Sequence, residues 1–357
     1  MKRIFLFLFL LVVIVGIGAA WVLLGPATGF SANKSYLYIG SRATTKQAVL
    51  DSLEKNKIIR NKTAFSWLAN QLGYWDKIKP GKYEIDKGQS LLSIVRMLRN
   101  GKQSPVKLTI TKLRTKESFA RMIGNHFECD SAEMIAFLNT PDSINRFNVK
   151  GNTLSTEEAM AVVLPDTYTM VWNTTPGKIY RQMVEASSKF WTDERMAKAK
   201  SIGLETPAQV STLASIVEEE TNADAEKGNI ASTYLNRIKK GMPLQADPTV
   251  KFALRDFGLK RIYEKHTAVE SPYNTYRNKG LPPGPICTPS RKTIEAVLNA
   301  PATDYMFFVA NPAFNGTHLF ASNYQEQMKN ARAYHDALDK QDSIRKSHHQ
   351  QSKLRVT

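Results

Sequence analysis

The chain has 357 residues and a formal net charge of +17. This length suffices for two or three domains, and the charge favours a polyanionic partner such as nucleic acid, anionic lipid or an anionic wall polymer. The two cysteines, Cys129 and Cys287, match no metal-binding spacing, which argues against zinc and iron–sulfur proteins and leaves a disulfide open. No Gly-rich phosphate loop, HExxH, GxSxG or CxxC motif occurs, so we expect no cofactor, no metal site and no serine nucleophile.

The N-terminus carries an apolar segment that is long enough to cross a membrane. Residues 4–24 are uncharged and follow Lys2 and Arg3; at about 1.5 Å per helical residue they can span a hydrocarbon core of about 30 Å. A cleaved signal peptide would have a shorter apolar region, although "GFSA" could serve as a cut site. We therefore predict a single-pass anchor in the inner (cytoplasmic) membrane, with a cytoplasmic N-terminus because basic residues favour that side. The soluble part would be periplasmic or extracytoplasmic, so no nucleic-acid partner is expected.

The remaining chain alternates helix-like and strand-like segments, which predicts an α+β fold class behind the transmembrane helix. A short strand is expected at residues 82–85, followed by a helix that begins after Ser90. The predicted parts are a cytoplasmic tip and anchor (1–25), a linker (26–34), a small α+β domain (35–105), a connecting α/β region (106–154), a larger α+β domain (155–338) and a basic tail expected to be disordered (339–357).

Three adjacent glutamates end a predicted helix in "LASIVEEETN". Thr206 is a typical N-cap for that helix, and Pro207 suits its first position. At roughly 100° per residue, Glu219 points opposite the apolar face and is expected to be solvated, whereas Glu218 and Glu220 lie on its two edges, roughly 160° apart. A carboxyl half-buried at such an edge loses hydration, so its pKa rises and it can hold a proton to donate. Three ordinary surface acids are the alternative.

Two irregular polar segments follow the glutamates and combine aromatic, amide and hydroxyl groups. Gln245 and Asp247 lie in the first segment, and Tyr273, Asn274 and Tyr276 lie in the second. Such segments suit carbohydrate, because sugar faces stack on aromatic rings while sugar hydroxyls need donors and acceptors. A rigid, proline-stiffened connection is the alternative. Acid-assisted cleavage of a glycan is the chemistry that remains after the missing motifs are excluded.

Several motifs in order resemble the endolytic murein transglycosylases, the MltG or YceG-like family. They read "LASIVEEET", "YLNRIKKGMPLQADPTV", "SPYNTYRNKGLPPGPI", "YMFFVA" and "GTHLF", and "GKYEIDKGQSLLSIVRMLRNGK" resembles the family's LysM-like domain. The resemblance covers nearly the whole chain. It implies cleavage of the β-1,4 bond between N-acetylmuramic acid (MurNAc) and N-acetylglucosamine (GlcNAc) within peptidoglycan strands, with a 1,6-anhydro end formed instead of hydrolysis. Termination of nascent strands beside peptidoglycan synthases is a family-level expectation.

The resemblance also implies roles for residues. The family's catalytic acid is the first glutamate after "ASIV", which is Glu218 here; one carboxyl would serve in turn as acid and base, unlike the pair used by most glycosidases. The supporting or substrate-binding candidates are Glu220, Asn236, Arg237, Gln245, Asp247, Tyr273, Asn274, Tyr276 and His318. For His318, a lone histidine beside a hydrophobic strand, a structural role is the alternative.

The chain departs from the family pattern at three places. "PICTPS" stands where the family commonly reads close to "PIANPG", so Cys287 and Ser290 change one wall of the expected site. Glu219 stands where lysine is common, and "AMAVVL" replaces an acidic-glycine-aromatic lead before "PDTY". A membrane-anchored scaffold that binds peptidoglycan without catalysis is the alternative function, and the two functions separate at Glu218.

Overall fold

The computed structural model describes residues 2–42 and 44–354, and it confirms a mixed helix-and-sheet fold. The helices are α1 (Lys2–Leu24), α2 (Lys46–Lys55), α3 (Lys62–Gln71), α4 (Leu91–Asn100), α5 (Lys116–His126), α6 (Ser131–Asn139), α7 (Pro141–Ile144), α8 (Pro176–Phe190), α9 (Asp193–Ser201), α10 (Pro207–Glu220), α11 (Lys227–Lys239), α12 (Asp247–Leu254), α13 (Glu264–Thr267), α14 (Arg291–Leu298) and α15 (Tyr324–Leu354). The strands are β1 (Lys34–Ile39), β2 (Gly81–Asp86), β3 (Pro105–Ile110), β4 (Asn148–Val149), β5 (Asn152–Thr153), β6 (Asp166–Val171), β7 (Phe307–Ala310) and β8 (His318–Ala321). They form two-stranded sheets, β1 with β2, β3 with β6, β4 with β5 and β7 with β8.

The first compact unit consists of the described residues up to Leu108 with Arg121–Ser131 and Thr167–Pro176. Within it, α1 is long and apolar enough to cross a membrane, and none of its residues is buried. Its end packs against the core of this unit at Leu23, but an apolar helix that is otherwise exposed suits a hydrocarbon environment. The helix is therefore compatible with the predicted membrane anchor.

The core of the first unit lies between the β1–β2 sheet and the helices that follow each strand. The two strands pair antiparallel with Leu37 opposite Tyr83, and both side chains are fully buried. Alternate residues along each strand face this core because strand side chains have a period of two. Helix α4 begins at the N-cap Ser90 and ends at Gly101, whose φ of 69° is left-handed. The strand and helix predicted for this region are confirmed.

The second compact unit consists of Thr109–Ala120, Ala132–Asp166 and the described residues from Gly177 onward. Its central element is α10. The Thr206 hydroxyl accepts a hydrogen bond from the backbone of Gln209, and the Gln209 side chain returns to the cap, which forms a capping box before Pro207. This confirms the helix start that the sequence predicts.

Helix α10 is buried on all sides along most of its length. Every residue from Val210 to Val217 is buried, because α11, α12, α14 and the 3-10 segment Glu157–Val162 pack around it. The apolar face predicted from helical phase is only part of the buried surface. The three glutamates of the last turn are partly buried.

Helix α15 differs from the expectation of a disordered tail at residues 339–357. It continues without a break from Tyr324 to Leu354, and residues 355–357 of the predicted tail lie outside the described residues. The segment has no apolar periodicity, but it is rich in Ala, Lys, Arg and Gln and contains neither Gly nor Pro. Such residues have high intrinsic helix propensity, so local preference extends the helix. The predicted domain boundaries stay predictions.

Candidate active site

Glu218, Glu219 and Glu220 occupy the last turn of α10. The C-terminal end of a helix carries a partial negative charge, so three acids there are unfavourable unless each is compensated. The next residue, Thr221, is extended and ends the helix. The three side chains leave the helix in different directions, and each carboxyl is compensated in a different way.

Glu218 has one carboxylate oxygen that is held and one that has no partner among the described residues. The Ser290 hydroxyl donates to Oε2 at 3.0 Å, the Thr293 hydroxyl donates to the same oxygen, and the Lys227 ammonium lies 3.5 Å from it. The side chain is 16% exposed. Oε1 is therefore the oxygen that a bound substrate can reach.

Lys227, the first residue of α11, supplies the positive charge beside Glu218. Its side chain is only 7% exposed, and its ammonium also pairs with Asp224 at 2.8 Å. The hydrogen bond from Lys227 holds the pKa of Asp224 below its ordinary value. A buried ammonium is stable only with such partners. The lysine is thus fixed between two acids, with its charge directed at Oε2.

Glu219 is not solvated, so the prediction from helical phase is wrong. Arg114 donates to both of its oxygens, at 3.1 and 2.9 Å, and Lys112 lies 3.2 Å away. The Glu219 side chain is 14% exposed. Burial raises the pKa of Glu219, but the Arg114 hydrogen bond and the Lys112 charge outweigh burial and leave the pKa below its ordinary value. The error arises because α10 is surrounded on all sides, so its far side meets two cations instead of water.

Glu220 is partly buried, and Tyr234 is its hydrogen-bond partner. The Tyr234 hydroxyl, whose own pKa burial raises, donates to the Glu220 carboxyl at 2.5 Å. Burial raises the pKa of Glu220 to about 7; the Tyr234 hydrogen bond opposes this shift and the charge of Asp247 adds to it. At neutral pH this acid is therefore divided between its protonated and ionised forms.

Four other candidates lie around this buried acid. The Arg237 guanidinium donates to the Met306 carbonyl at 2.7 Å and to the Gln245 side chain at 3.3 Å. Gln245 has a left-handed φ of 52°, which turns the chain between Arg237 and the exposed Asp247. The Tyr276 hydroxyl donates to Asp247 at 2.6 Å, and burial raises the pKa of that tyrosine. The structure thus brings Arg237, Gln245, Asp247 and Tyr276 into one polar network.

Three candidates have side chains that hold the surrounding loops. The Asn236 amide donates to two backbone carbonyls, both at 2.9 Å. The fully buried Asn274 amide donates to two others, at 2.8 and 2.7 Å. The Tyr273 ring packs against Phe252 with a centroid separation of 4.7 Å. Their polar hydrogens and ring surfaces are used within the protein, so these three residues shape the site.

His318, at the start of β8, is paired with Glu226. Its Nδ1 lies 3.1 Å from one Glu226 oxygen, and its backbone N–H donates to the other at 2.8 Å. The ring also lies edge-on to Phe308, 5.4 Å between centroids. The double contact fixes the start of β8 to the turn that precedes α11. This geometry favours the structural alternative for His318.

The structure also shows the state of the two cysteines and of the potential metal ligands. Among the residues whose side chains the structure describes, no three His, Cys, Asp or Glu side chains are grouped as metal ligands. No disulfide joins Cys129 to Cys287. The Cys287 thiol instead donates to the Ser215 carbonyl at 3.4 Å, and burial raises its pKa well above the ordinary value. A buried, protonated thiol is unreactive.

Sequence reasoning missed the partners of the three acids. Lys227, Thr293, Tyr234 and Glu226 were not singled out, and Ser290 stood out only as a departure from the family pattern. One signal was present: three acids at a helix C-terminus require nearby cations. That requirement does not say which of the 49 lysines and arginines supply them, because the contacts join segments that are distant along the chain.

The fold and the site define a helix-rich α+β protein with one N-terminal apolar helix and an acid-centred site at the end of a buried helix. The chain belongs to the YceG-like family, whose sequence profile matches residues 37–333. This match confirms the resemblance stated from the motifs.

Individual relatives agree with the family assignment. The chain is 29% identical over 299 residues to an endolytic murein transglycosylase of Bacillus subtilis (strain 168), covering 80% of this chain and 81% of the relative. It is 27% identical over 326 residues to an endolytic murein transglycosylase of Streptococcus pneumoniae serotype 2 (strain D39), covering 84% of this chain but only 58% of that longer relative. A crystallised yceG-like protein from Listeria monocytogenes aligns with a TM-score of 0.55 at 27% identity, over 84% of this chain and 99% of that one.

Proposed function

We propose that this chain is an endolytic murein lytic transglycosylase, a lyase that cleaves the MurNAc-β-1,4-GlcNAc bond within glycan strands and leaves a 1,6-anhydroMurNAc end. Family membership and the names of its relatives support the general activity. The geometry of Glu218 supports the specific reaction, because Ser290 and Lys227 contact Oε2 whereas Oε1 has no partner among the described residues. No second carboxylate is hydrogen-bonded to Glu218 among the described residues.

In this reaction Glu218 acts first as an acid and then as a base. Its Oε1 gives a proton to the glycosidic oxygen as the bond from that oxygen to C1 of MurNAc breaks. The resulting carboxylate takes the proton of the C6 hydroxyl, whose oxygen bonds to C1 and closes the anhydro ring. Atoms balance without water, and one carboxyl suffices. A hydrolase would need a second carboxylate to attack or to activate water.

The neighbours of Glu218 stabilise the carboxylate that forms between the two proton transfers. Once the proton has left, the negative charge is stabilised by the Lys227 ammonium and by the hydroxyls of Ser290 and Thr293 on Oε2. These groups are in place before the reaction, so they need little reorganisation. Because all three act on Oε2, Oε1 keeps its orientation toward the substrate throughout.

The polar network around Glu220 is proposed to bind the glycan beside the reacting bond. Gln245 and Asp247 are exposed at the surface. The Gln245 side chain accepts a hydrogen bond from Arg237, and the Asp247 carboxylate accepts one from Tyr276. An amide and a carboxylate that are fixed in this way can pair with sugar hydroxyls. Glu220 then supports the site from within.

The location follows from α1. We place residues 4–24 in the inner membrane as a single-pass anchor, with Lys2 and Arg3 cytoplasmic and the remaining chain periplasmic or extracytoplasmic. The small α+β domain would be LysM-like and hold peptidoglycan. A tethered lyase of this kind could terminate nascent strands beside peptidoglycan synthases at the membrane.

The test uses the full chain in detergent micelles with purified peptidoglycan, followed by mass spectrometry of the released glycans. The lyase gives products lower in mass by one water than the corresponding hydrolysis products. Products of the full hydrolytic mass would contradict the proposal. Binding of peptidoglycan without release of any product would instead favour the non-catalytic scaffold.

A further inference from the structure

The structure assigns Ser290 as a positioning residue for Glu218: its hydroxyl, together with that of Thr293, fixes which carboxylate oxygen exchanges the proton. This assignment rests on the proposed function. It concerns a residue that the sequence marks only as a departure from the expected "PIANPG" pattern, with no role attached to it.

The two hydroxyls converge on one oxygen. Ser290 donates to Oε2 of Glu218 at 3.0 Å, Thr293 donates to the same atom, and the two hydroxyl oxygens are 3.0 Å apart. Each hydroxyl has a single proton. Since both hydroxyl oxygens lie against Oε2, a rotation that exchanged the carboxylate oxygens would break both contacts at once.

Ser290 is held in place by a segment that is fixed to α10 itself. The backbone N–H of Ile286 donates to the Ser215 hydroxyl at 2.9 Å, and the Cys287 thiol donates to the Ser215 carbonyl at 3.4 Å. Ser215 lies one helical turn before Glu218, so the same helix carries the carboxyl and positions the segment that leads to Ser290. All three of these contacting residues are buried.

A second set of bonds fixes the same segment from the other side. Thr288 donates its backbone N–H to the Leu113 carbonyl at 2.7 Å, and the Leu113 N–H donates to the Thr288 hydroxyl at 2.9 Å. Thr288 is fully buried. The hydroxyl of Ser290 therefore stands on a rigid support, which is the arrangement that a precisely placed contact requires.

Ser290 also caps a helix, and the test must separate this capping role from the positioning of Glu218. It is the N-cap of α14, and its hydroxyl accepts from the Thr293 backbone at 3.3 Å. Glycine is nearly as good an N-cap as serine, whereas alanine is clearly poorer. A loss caused by capping would therefore be larger for Ser290→Ala than for Ser290→Gly. A loss caused by the missing donor would be the same for both.

The experiment measures kcat, KM and thermal midpoint for the full chain in detergent, with Ser290→Gly, Ser290→Ala and Ser290→Thr. We expect Gly and Ala to lower kcat equally, by about tenfold, with KM unchanged; misplacing a catalytic group can cost ~100-fold. Thr retains the hydroxyl and should restore kcat. The matched control is Thr192→Gly, which removes the N-cap hydroxyl of α9, also 3.3 Å from its backbone partner, and should leave kcat unchanged.

The outcomes distinguish this assignment from the proposed function. If the unmodified chain releases no anhydro product, the proposed function itself fails. If the unmodified chain is active and Ser290→Gly keeps its full kcat, the positioning role is overturned. A kcat loss that is larger for Ala than for Gly and follows the thermal midpoint would also overturn it, because capping would then be the cause.

Discussion

Glu218 and Glu220 are two residues apart on α10, and both are partly buried, yet their partners differ. Glu218 is compensated by the Lys227 ammonium and two hydroxyls. Glu220 has Tyr234 as its hydrogen-bond donor, and burial raises its pKa to about 7. Because 100° of helical rotation separates successive residues, a step of two turns the side chain to nearly the other side of the helix.

The contrast shows that a raised pKa alone does not identify the reacting acid. Perturbed acids cluster at functional sites, but structural networks perturb them as well. Burial raises the pKa of Glu220, whereas the oxygen without a partner among the described residues, Oε1, belongs to Glu218. The proposed function therefore assigns the proton transfer to Glu218 and a supporting role to Glu220.

The largest expected effect is that of Glu218→Gln, which removes the exchangeable proton and keeps the shape. The rate of anhydro product formation should fall at least about 10³-fold, in the range for a lost general acid–base. Glu220→Gln, the matched control, should retain activity within about tenfold because Oε1 of Glu218 is untouched. Product analysis by mass spectrometry checks both. Loss of activity in Glu220→Gln with retention in Glu218→Gln would reverse the assignment.

A smaller effect is expected for Lys227→Met, which removes the cation beside Oε2. Without it the carboxylate that forms after proton donation is poorly stabilised, so kcat should fall by about 10²-fold, the scale reported for a lost electrostatic contact. Lys227→Arg keeps the charge and should recover part of that loss. Single-turnover measurements at saturating substrate test this. Unchanged kcat in the Met variant would show that the hydroxyls alone hold Glu218.

The raised pKa of Glu220 predicts a pH dependence of stability. The folded chain binds the Glu220 proton more tightly than the unfolded chain, since the pKa is about 7 instead of 4.5. The Glu220 proton therefore adds up to about 3 kcal/mol to the free energy of unfolding. This stabilisation is complete below pH 4.5 and is lost as the pH rises through about 7. Glu220→Gln stays neutral and should remove this decline. Denaturant unfolding from about pH 5 to about pH 8 checks it.

Glu219→Gln is the control for that pH series. Cations hold the pKa of Glu219 below its ordinary value, so its titration lies outside the neutral range and the decline should persist in this variant. An equal decline in the Glu220→Gln chain would show that another group is responsible.

The smallest effect is expected for Arg114→Ala, which removes the paired hydrogen bonds to Glu219. The free energy of unfolding should fall by about 1–2 kcal/mol, because the arginine is partly exposed and Lys112 still neutralises the acid. The kcat should be unchanged, since Glu219 faces away from Oε1 of Glu218. Chemical unfolding and product analysis test the two statements, with Arg114→Lys as the conservative control. A large loss of kcat would mean that Glu219 belongs to the reacting group.

The sequence predicted helix starts correctly, because caps depend on interactions between residues that are close along the chain. The capping box that begins at Thr206, the Pro207 start of α10 and the N-cap at Ser90 are confirmed, because caps depend on residues three positions apart. The prediction of a solvated Glu219 was wrong. The error came from assuming that a helix has an exposed side.

The motifs also identified the family, and helical phase put Glu218 and Glu220 on opposite edges of the apolar face, but only the resemblance chose Glu218 as the acid. Neither signal named Lys227, Tyr234 or the contact from Ser290 to Glu218. Those partners join α10 to segments up to 75 residues away, so their meeting depends on how helices pack and not on spacing along the chain.

The sequence by itself determined the apolar N-terminal segment, the family, and the helix that carries three adjacent acids. Periodicity, caps and ordered motifs are local properties that the chain retains whatever its tertiary packing. Only the tertiary structure decided the state of each acid, because burial and counter-charges come from distant segments: hydroxyls and an ammonium for Glu218, two cations for Glu219, and a tyrosine for Glu220.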